Sequence, residues 1–174
     1  MNRTFENSGL EFYVCGNYNY INNTTYYTID NTEYETLNNT YGTANVINIY
    51  FVNGISFYGS SATGVAPTPG GSHWVILRNN ADTTVYPHEM GHFFGLLHTH
   101  GYSNTVKTDE FVDGSNCHEA GDYFCDTPAD PRLSPAIVNS PNVNAQCVYF
   151  GNQKDGHHQV YVPDATNIMS YAPA

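Results

Sequence analysis

Apolar and polar positions alternate in short runs through the first half of the chain. Residues 10–15 and 46–52 are β-branched and aromatic runs bounded by Gly and Asn, and residues 73–78 repeat the pattern. Three strands are predicted there. Residues 28–38 carry Ile29, Tyr34 and Leu37 among acidic residues, and this spacing predicts a helix packed on the sheet, although Thr and Asn are poor helix formers. Residues 59–71, rich in Gly, Pro, Ser and Thr, read as a long loop. From Asp82 the pattern turns helical: Asp82, Thr83 or Thr84 can cap, and Val85, Met90, Phe93, Phe94 and Leu97 recur at helical spacing until Gly95 weakens it. Beyond His98 periodicity fades, and Pro128, Pro131, Pro135 and Pro141 mark an irregular segment. The expected organisation is one domain, 1–174, with a strand-and-helix upper subdomain over about 1–97 and a loop-rich lower subdomain over about 98–174.

The 174 residues, 40% of them hydrophobic, suffice for one core. Only 12% are charged, yet Asp and Glu outnumber Lys and Arg by 16 to 5, for a net charge of -11. Such a chain cannot neutralise a row of phosphates, so nucleic acid is excluded as a partner. Anionic membrane surfaces are disfavoured on the same ground, and no apolar run is long enough to span a bilayer. Sparse charge with abundant Tyr, Asn, Thr and Gly fits a secreted protein. The cysteines, Cys15, Cys117, Cys125 and Cys147, form no C-x-x-C pair, which favours disulfides over a cysteine metal site. Residues 1–10 contain no apolar signal core, so an export signal and any pro-segment are expected to lie outside this sequence.

The chemistry is concentrated between residues 88 and 98. His88 and His92 are four positions apart, so on a helix both imidazoles leave one face and can reach one ion. Glu89 emerges beside them without being a ligand. A catalytic zinc takes three protein ligands and keeps one position open. Gly95 can adopt the left-handed conformation that ends a helix, and a sharp turn there would return His98 to the ion as the third ligand. The run from His88 to His98 fits H-E-x-x-H-x-x-G-x-x-H at every fixed position, a match expected by chance on the order of once in 10⁵ chains of this length.

With this motif the sequence resembles the metzincin clan of zinc endopeptidases, whose other mark is a methionine-containing turn beneath the metal. Asn167-Ile168-Met169-Ser170-Tyr171 resembles that turn. Gly121-Asp122 and Asp126-Thr127-Pro128, flanked by cysteines, are similar to the pappalysin family within the clan, especially its bacterial secreted members. The resemblance is weak over residues 1–80 and strong over 86–171. It implies an α+β fold: a twisted mixed sheet with the active-site helix above a cleft, over the irregular lower subdomain. It further implies a zinc-dependent endopeptidase whose partners are peptide or protein substrates; the chain itself is expected to be a monomer. Glu89 would be the general base and proton carrier, Met169 a packing support under the metal, and Tyr171 the donor to the tetrahedral oxyanion. The clan continues past the methionine turn into a C-terminal helix that this sequence lacks, so truncation is an expectation; without a pro-segment, no activation cleavage is expected.

Asp109, Glu110, Asp113, Asp122, Asp126 and Asp130 crowd into one stretch of loop, the kind of oxygen-rich segment that suits calcium. Structural calcium in this region is also what the resemblance implies. Four cysteines permit three pairings. Cys117 with Cys147 would close a loop of about 30 residues, for which chain entropy gives roughly 3–4 kcal/mol. That pairing is expected, with Cys15 and Cys125 either bonded to each other or free. His73, His100, His118, His157 and His158 read as surface or hydrogen-bonding residues, His100 being the one placed to compete with His98.

Overall fold

Trp74 to Leu77 are all buried, the pattern of a central strand covered on both faces. In the computed structural model this strand organises the first of two compact units, Met1–Gly95 and Leu96–Ala174. The structure describes residues 1–67, 71–102, 108–133, 142–144 and 146–172.

The first unit opens with a short helix α1 (Asn2–Phe5) followed by a 3₁₀ turn, Glu6–Ser8. A second 3₁₀ turn, Thr24–Tyr26, leads into β1 (Thr28–Asp30), α2 (Tyr34–Tyr41), β2 (Asn48–Val52), β3 (Gly54–Phe57), β4 (Ser60–Ala62), β5 (Gly64–Val65), β6 (Trp74–Arg78) and α3 (Val85–Phe93). The strands form two three-stranded sheets, ordered β1-β3-β4 and β2-β6-β5. β2 lies parallel to β6, from Asn48 opposite Trp74 to Val52 opposite Arg78. β5 is antiparallel to β6, with Val65 opposite Ile76, and lies at the sheet edge. In β2 the alternation is the one a half-covered strand requires: Tyr50 and Val52 are buried, while Ile49 and Phe51 face out. The core gathers Ile29, Leu37, Tyr50, Val52, Ile55, Val65, Trp74 and Ile76. Its polar edges are satisfied: the Trp74 indole donates to Glu35 at 2.9 Å and the Tyr34 hydroxyl to the Ser56 carbonyl at 2.8 Å.

Three expectations need correction here. Residues 28–38 do not form one helix. Their first three residues pair with Gly54, Ile55 and Ser56, burying Ile29 completely, and the helix starts only at Tyr34. Tertiary pairing overrides local propensity at this point. Asp30 and Glu33 mark the change: Thr32 donates its amide to the Asp30 carboxylate at 2.8 Å in an Asx turn, and Asp30 donates its own amide to the Glu33 carboxylate at 3.1 Å. Residues 10–15 form no strand. Tyr13 and Val14 are exposed and the segment finds no ladder partner; the side chain of Asn2 instead bonds both the amide and the carbonyl of Phe12. The expected loop 59–71 contains β4 and β5, with residues 68–70 outside those described.

The second unit has no helix or strand among its described residues, where only two isolated bridges occur, Val143 with Tyr149 and Lys154 with Val160. Pro135 and Pro141 lie outside the described residues. Asx side chains do much of the work that ladders do elsewhere. Asp155 accepts amides from Val112 at 2.8 Å, His157 at 2.9 Å and Gln159 at 2.8 Å, and Asn116 accepts from the Phe111 amide at 2.8 Å while donating to the Asp109 carbonyl at 2.9 Å. Leu133, Val143 and Ala165 form a small apolar cluster against which Cys147 packs.

The disulfide joins Cys117 to Cys125, with Cα atoms 5.1 Å apart, and the expected Cys117–Cys147 bond is corrected. Consecutive turns through residues 114–127 fold the two cysteines onto each other, whereas Cys147 sits as a half-buried thiol in the apolar cluster. Cys15 is an exposed thiol.

Candidate metal centre

Ahead of helix α3 the Asp82 carboxylate accepts the Thr84 amide at 3.1 Å in an Asx turn, and Thr84 stands at the N-cap without a side-chain cap bond. Pro87 falls within the first turn, where its missing amide costs no helical bond. The helix buries Pro87, Glu89, Met90 and Gly91 and leaves His88 and His92 half-buried. The two imidazoles stand edge to face with centroids 4.8 Å apart, as positions one turn apart should. The Phe94 amide closes on Met90 at 3.0 Å and the Gly95 amide on His92 at 2.9 Å. Gly95 then takes φ 97°, the left-handed conformation expected of it.

Along the continuous segment 88–98, the ligand nitrogens of His88, His92 and His98 all lie within 4.8 Å of one another. Three nitrogens about 2.0–2.1 Å from one tetrahedral zinc would be about 3.4 Å apart, which lies within this bound, so the donor set fits zinc. The only other such grouping among the described residues is Cys117, His118 and Cys125, whose sulfurs are consumed by the disulfide.

Glu89 is 6% exposed, and burial pushes its carboxyl up to about 8. A dication beside it would oppose that shift and favour the carboxylate. Its side chain lies against Gly64 of β5: a Cβ added there would come within 2.6 Å of both Cγ and Oε1 of Glu89. Sequence reading gave Gly64 no role, because a glycine in a Gly- and Pro-rich stretch carries no signal of what it faces.

Within the second unit, His98 packs against Tyr171 with ring centroids 4.3 Å apart, and His100 stacks parallel to His98 at 5.2 Å. His100 is itself buried and lies 4.7 Å from the Tyr171 ring. Met169, 3% exposed, sits in a turn in which its amide is held by the Asn167 side chain at 2.9 Å and the Ser170 amide closes on the Asn167 carbonyl at 2.9 Å. The Met169 carbonyl accepts the Thr99 amide at 3.1 Å, so the methionine turn is bonded to the residue next to His98.

The acidic residues divide by burial, and Glu110, Asp113 and Asp126 line one pocket. Glu110 and Asp122 are buried, while Asp109, Asp113 and Asp126 are exposed. Burial, and then the charges of Asp122 and Asp130, push Glu110 up to about 7. Asp113 is held down at about 2 by hydrogen bonds from Ser115 and by His157, whose Nδ1 lies 3.0 Å away. Asp130, which sequence reading counted only as one of the acidic crowd, is 1% exposed and bonded to both the Thr99 and the Ser170 hydroxyls. No helix among the described residues is long and apolar enough to cross a membrane.

No family model matches the chain. Among curated proteins it is similar to an extracellular metalloprotease of Pyricularia oryzae (strain 70-15 / ATCC MYA-4617 / FGSC 8958), 27% identical over 195 aligned residues that take in 98% of this chain. The chain spans 62% of that protein's length.

Proposed function

We propose that this chain carries the catalytic machinery of a secreted zinc metalloendopeptidase of the metzincin clan, pappalysin type. The observation that carries the reading is the convergence of three imidazoles, His88, His92 and His98, within 4.8 Å, beside a buried carboxyl on the same helix. Similarity to an extracellular metalloprotease supports it, and so does the disulfide for an oxidising compartment.

His88, His92 and His98 would hold zinc, which would supply Lewis-acid polarisation of the scissile carbonyl and lower the pKa of a water to about 7. Glu89 then acts as general base: its carboxylate takes one proton from the attacking water as the new C–O bond forms. It returns that proton to the leaving nitrogen as the C–N bond breaks. Low exposure keeps bulk water from competing for the proton. Tyr171, with its ring against His98, is the candidate hydrogen-bond donor to the oxyanion. Met169 supports the site through packing. Protein or peptide chains are the substrates, and the catalytic unit acts as a monomer.

The reading is tested by incubating the purified protein with a denatured protein substrate, with and without a zinc chelator, and counting zinc per chain. Cleavage abolished by the chelator and restored by zinc, at about one zinc per chain, is expected. Metal-free protein that neither binds added zinc nor gains activity from it would refute the proposal.

A further inference from the structure

Asp130 is a carboxylate almost wholly removed from solvent, at 1% exposure, in a unit that has no regular secondary structure among its described residues. Such a group is tolerable only if its oxygens are fully hydrogen-bonded. Its donors come from three places in the chain. The Thr99 hydroxyl donates to Oδ2 at 2.5 Å, the Ser170 hydroxyl donates to the same oxygen at 3.2 Å, and the Arg132 amide donates to Oδ1 at 2.7 Å. The amide of Leu133 also bonds the carboxylate.

The two hydroxyls are placed where they matter. Thr99 directly follows His98, and Ser170 lies between Met169 and Tyr171. One carboxylate oxygen therefore ties the segment of the third histidine to the methionine turn, in parallel with the backbone bond from Thr99 to Met169. The His98 and Tyr171 rings meet at 4.3 Å directly beside this tie, and the Arg132 guanidinium lies 5.6 Å from the Tyr171 ring centroid.

We infer that Asp130 is a positioning residue that sets the His98 imidazole and the Tyr171 ring in one fixed relation by bonding their neighbours Thr99 and Ser170. The inference rests on the proposed zinc protease reading for its catalytic consequence, though the geometry it claims exists without metal. Thr99→Val removes the donor on the His98 side, and zinc affinity should fall 10- to 100-fold, the usual cost of losing an outer-shell partner of a metal ligand. Ser170→Ala removes the donor on the Tyr171 side, and kcat should fall about 10-fold with KM unchanged. Asp130→Asn, which keeps the shape but offers a single acceptor oxygen, should show both effects.

The deciding readout needs neither metal nor activity. In metal-free protein the His98 ring protons should carry a ring-current shift from Tyr171 in the ¹H NMR spectrum; Tyr171→Leu identifies that shift by abolishing it. Loss or marked reduction of the shift in Asp130→Asn, or in Thr99→Val together with Ser170→Ala should the first variant not fold, is expected. Folded variants that lose thermal stability yet keep the shift, the zinc affinity and kcat would overturn the inference, because Asp130 would then be stabilising the unit without setting the rings. Wild-type protein that binds no zinc would instead overturn the protease reading, while the ring shift would still decide the role of Asp130.

Discussion

Gly64 and Glu89 occupy the same space to within one methyl group: a Cβ on Gly64 would lie 2.6 Å from Cγ and from Oε1 of Glu89. The edge strand thus leaves room for the carboxyl by omitting a side chain. Gly64→Ala should therefore displace Glu89 and cost about 1–3 kcal/mol of stability through overpacking. The expected signature is a fall in kcat of about 10-fold or more with zinc content unchanged, measured by steady-state kinetics and elemental analysis on the same sample. Unchanged kcat in Gly64→Ala would mean that the placement of Glu89 does not depend on this contact.

Gly95 ends α3 at φ 97°, a conformation that costs a residue with a side chain about 1–2 kcal/mol. Gly95→Ala should lower thermal stability by that amount and weaken zinc binding, since the turn delivers His98. Calorimetric unfolding and zinc titration check both effects; zinc affinity equal to wild type would remove Gly95 from the account of the metal centre.

The grouping of His88, His92 and His98 was legible because its geometry is local: helical spacing, a helix-ending glycine and a short return are all written within eleven consecutive residues. β6 was legible because its buried stretch, Trp74 to Leu77, is covered on both faces and is apolar throughout. Residues 10–15 have the composition of a strand but no neighbouring edge, and residues 28–30 look too polar yet pair with β3 and bury Ile29. Pairing depends on partners that a linear reading does not contain. Asp130 illustrates the same limit at the candidate site, for its hydroxyl partners lie 31 and 40 residues away. The disulfide misled for a different reason. The entropy of the unfolded chain favours a long loop, but the folded chain decides which sulfurs meet, and Cys147 is held in an apolar cluster.

Removing the disulfide tests that correction. A loop closed by residues eight apart contributes about 2.5 kcal/mol on the chain-entropy model. Cys117→Ser and Cys125→Ser should each lower stability by roughly that amount, and the double variant by no more than either. Cys147→Ser should leave the bond intact. Non-reducing peptide mapping that finds Cys117 linked to Cys147 would contradict the structure.

Glu110 gives the pH dependence a sign. Its carboxyl is pushed up to about 7 by burial and by Asp122 and Asp130, against an ordinary value of 4.5. Between those values the folded protein holds a proton that the unfolded chain has released. This contribution to stability is therefore complete below about 4.5 and is lost as pH rises through about 7. Metal-free protein should show a falling melting temperature over this window, and Glu110→Gln should flatten the decline. An identical slope in wild type and Glu110→Gln would assign the pH dependence to other groups.

The central claim is that Glu89 moves a proton and does not hold the metal, and turnover of Glu89→Gln on a peptide substrate at one bound zinc per chain tests it most directly. The amide preserves the shape of the side chain and cannot accept the proton, so a loss of at least 10²-fold in kcat is expected with zinc content equal to wild type. A zinc-loaded Glu89→Gln variant that hydrolyses the peptide at nearly the wild-type rate would contradict the account.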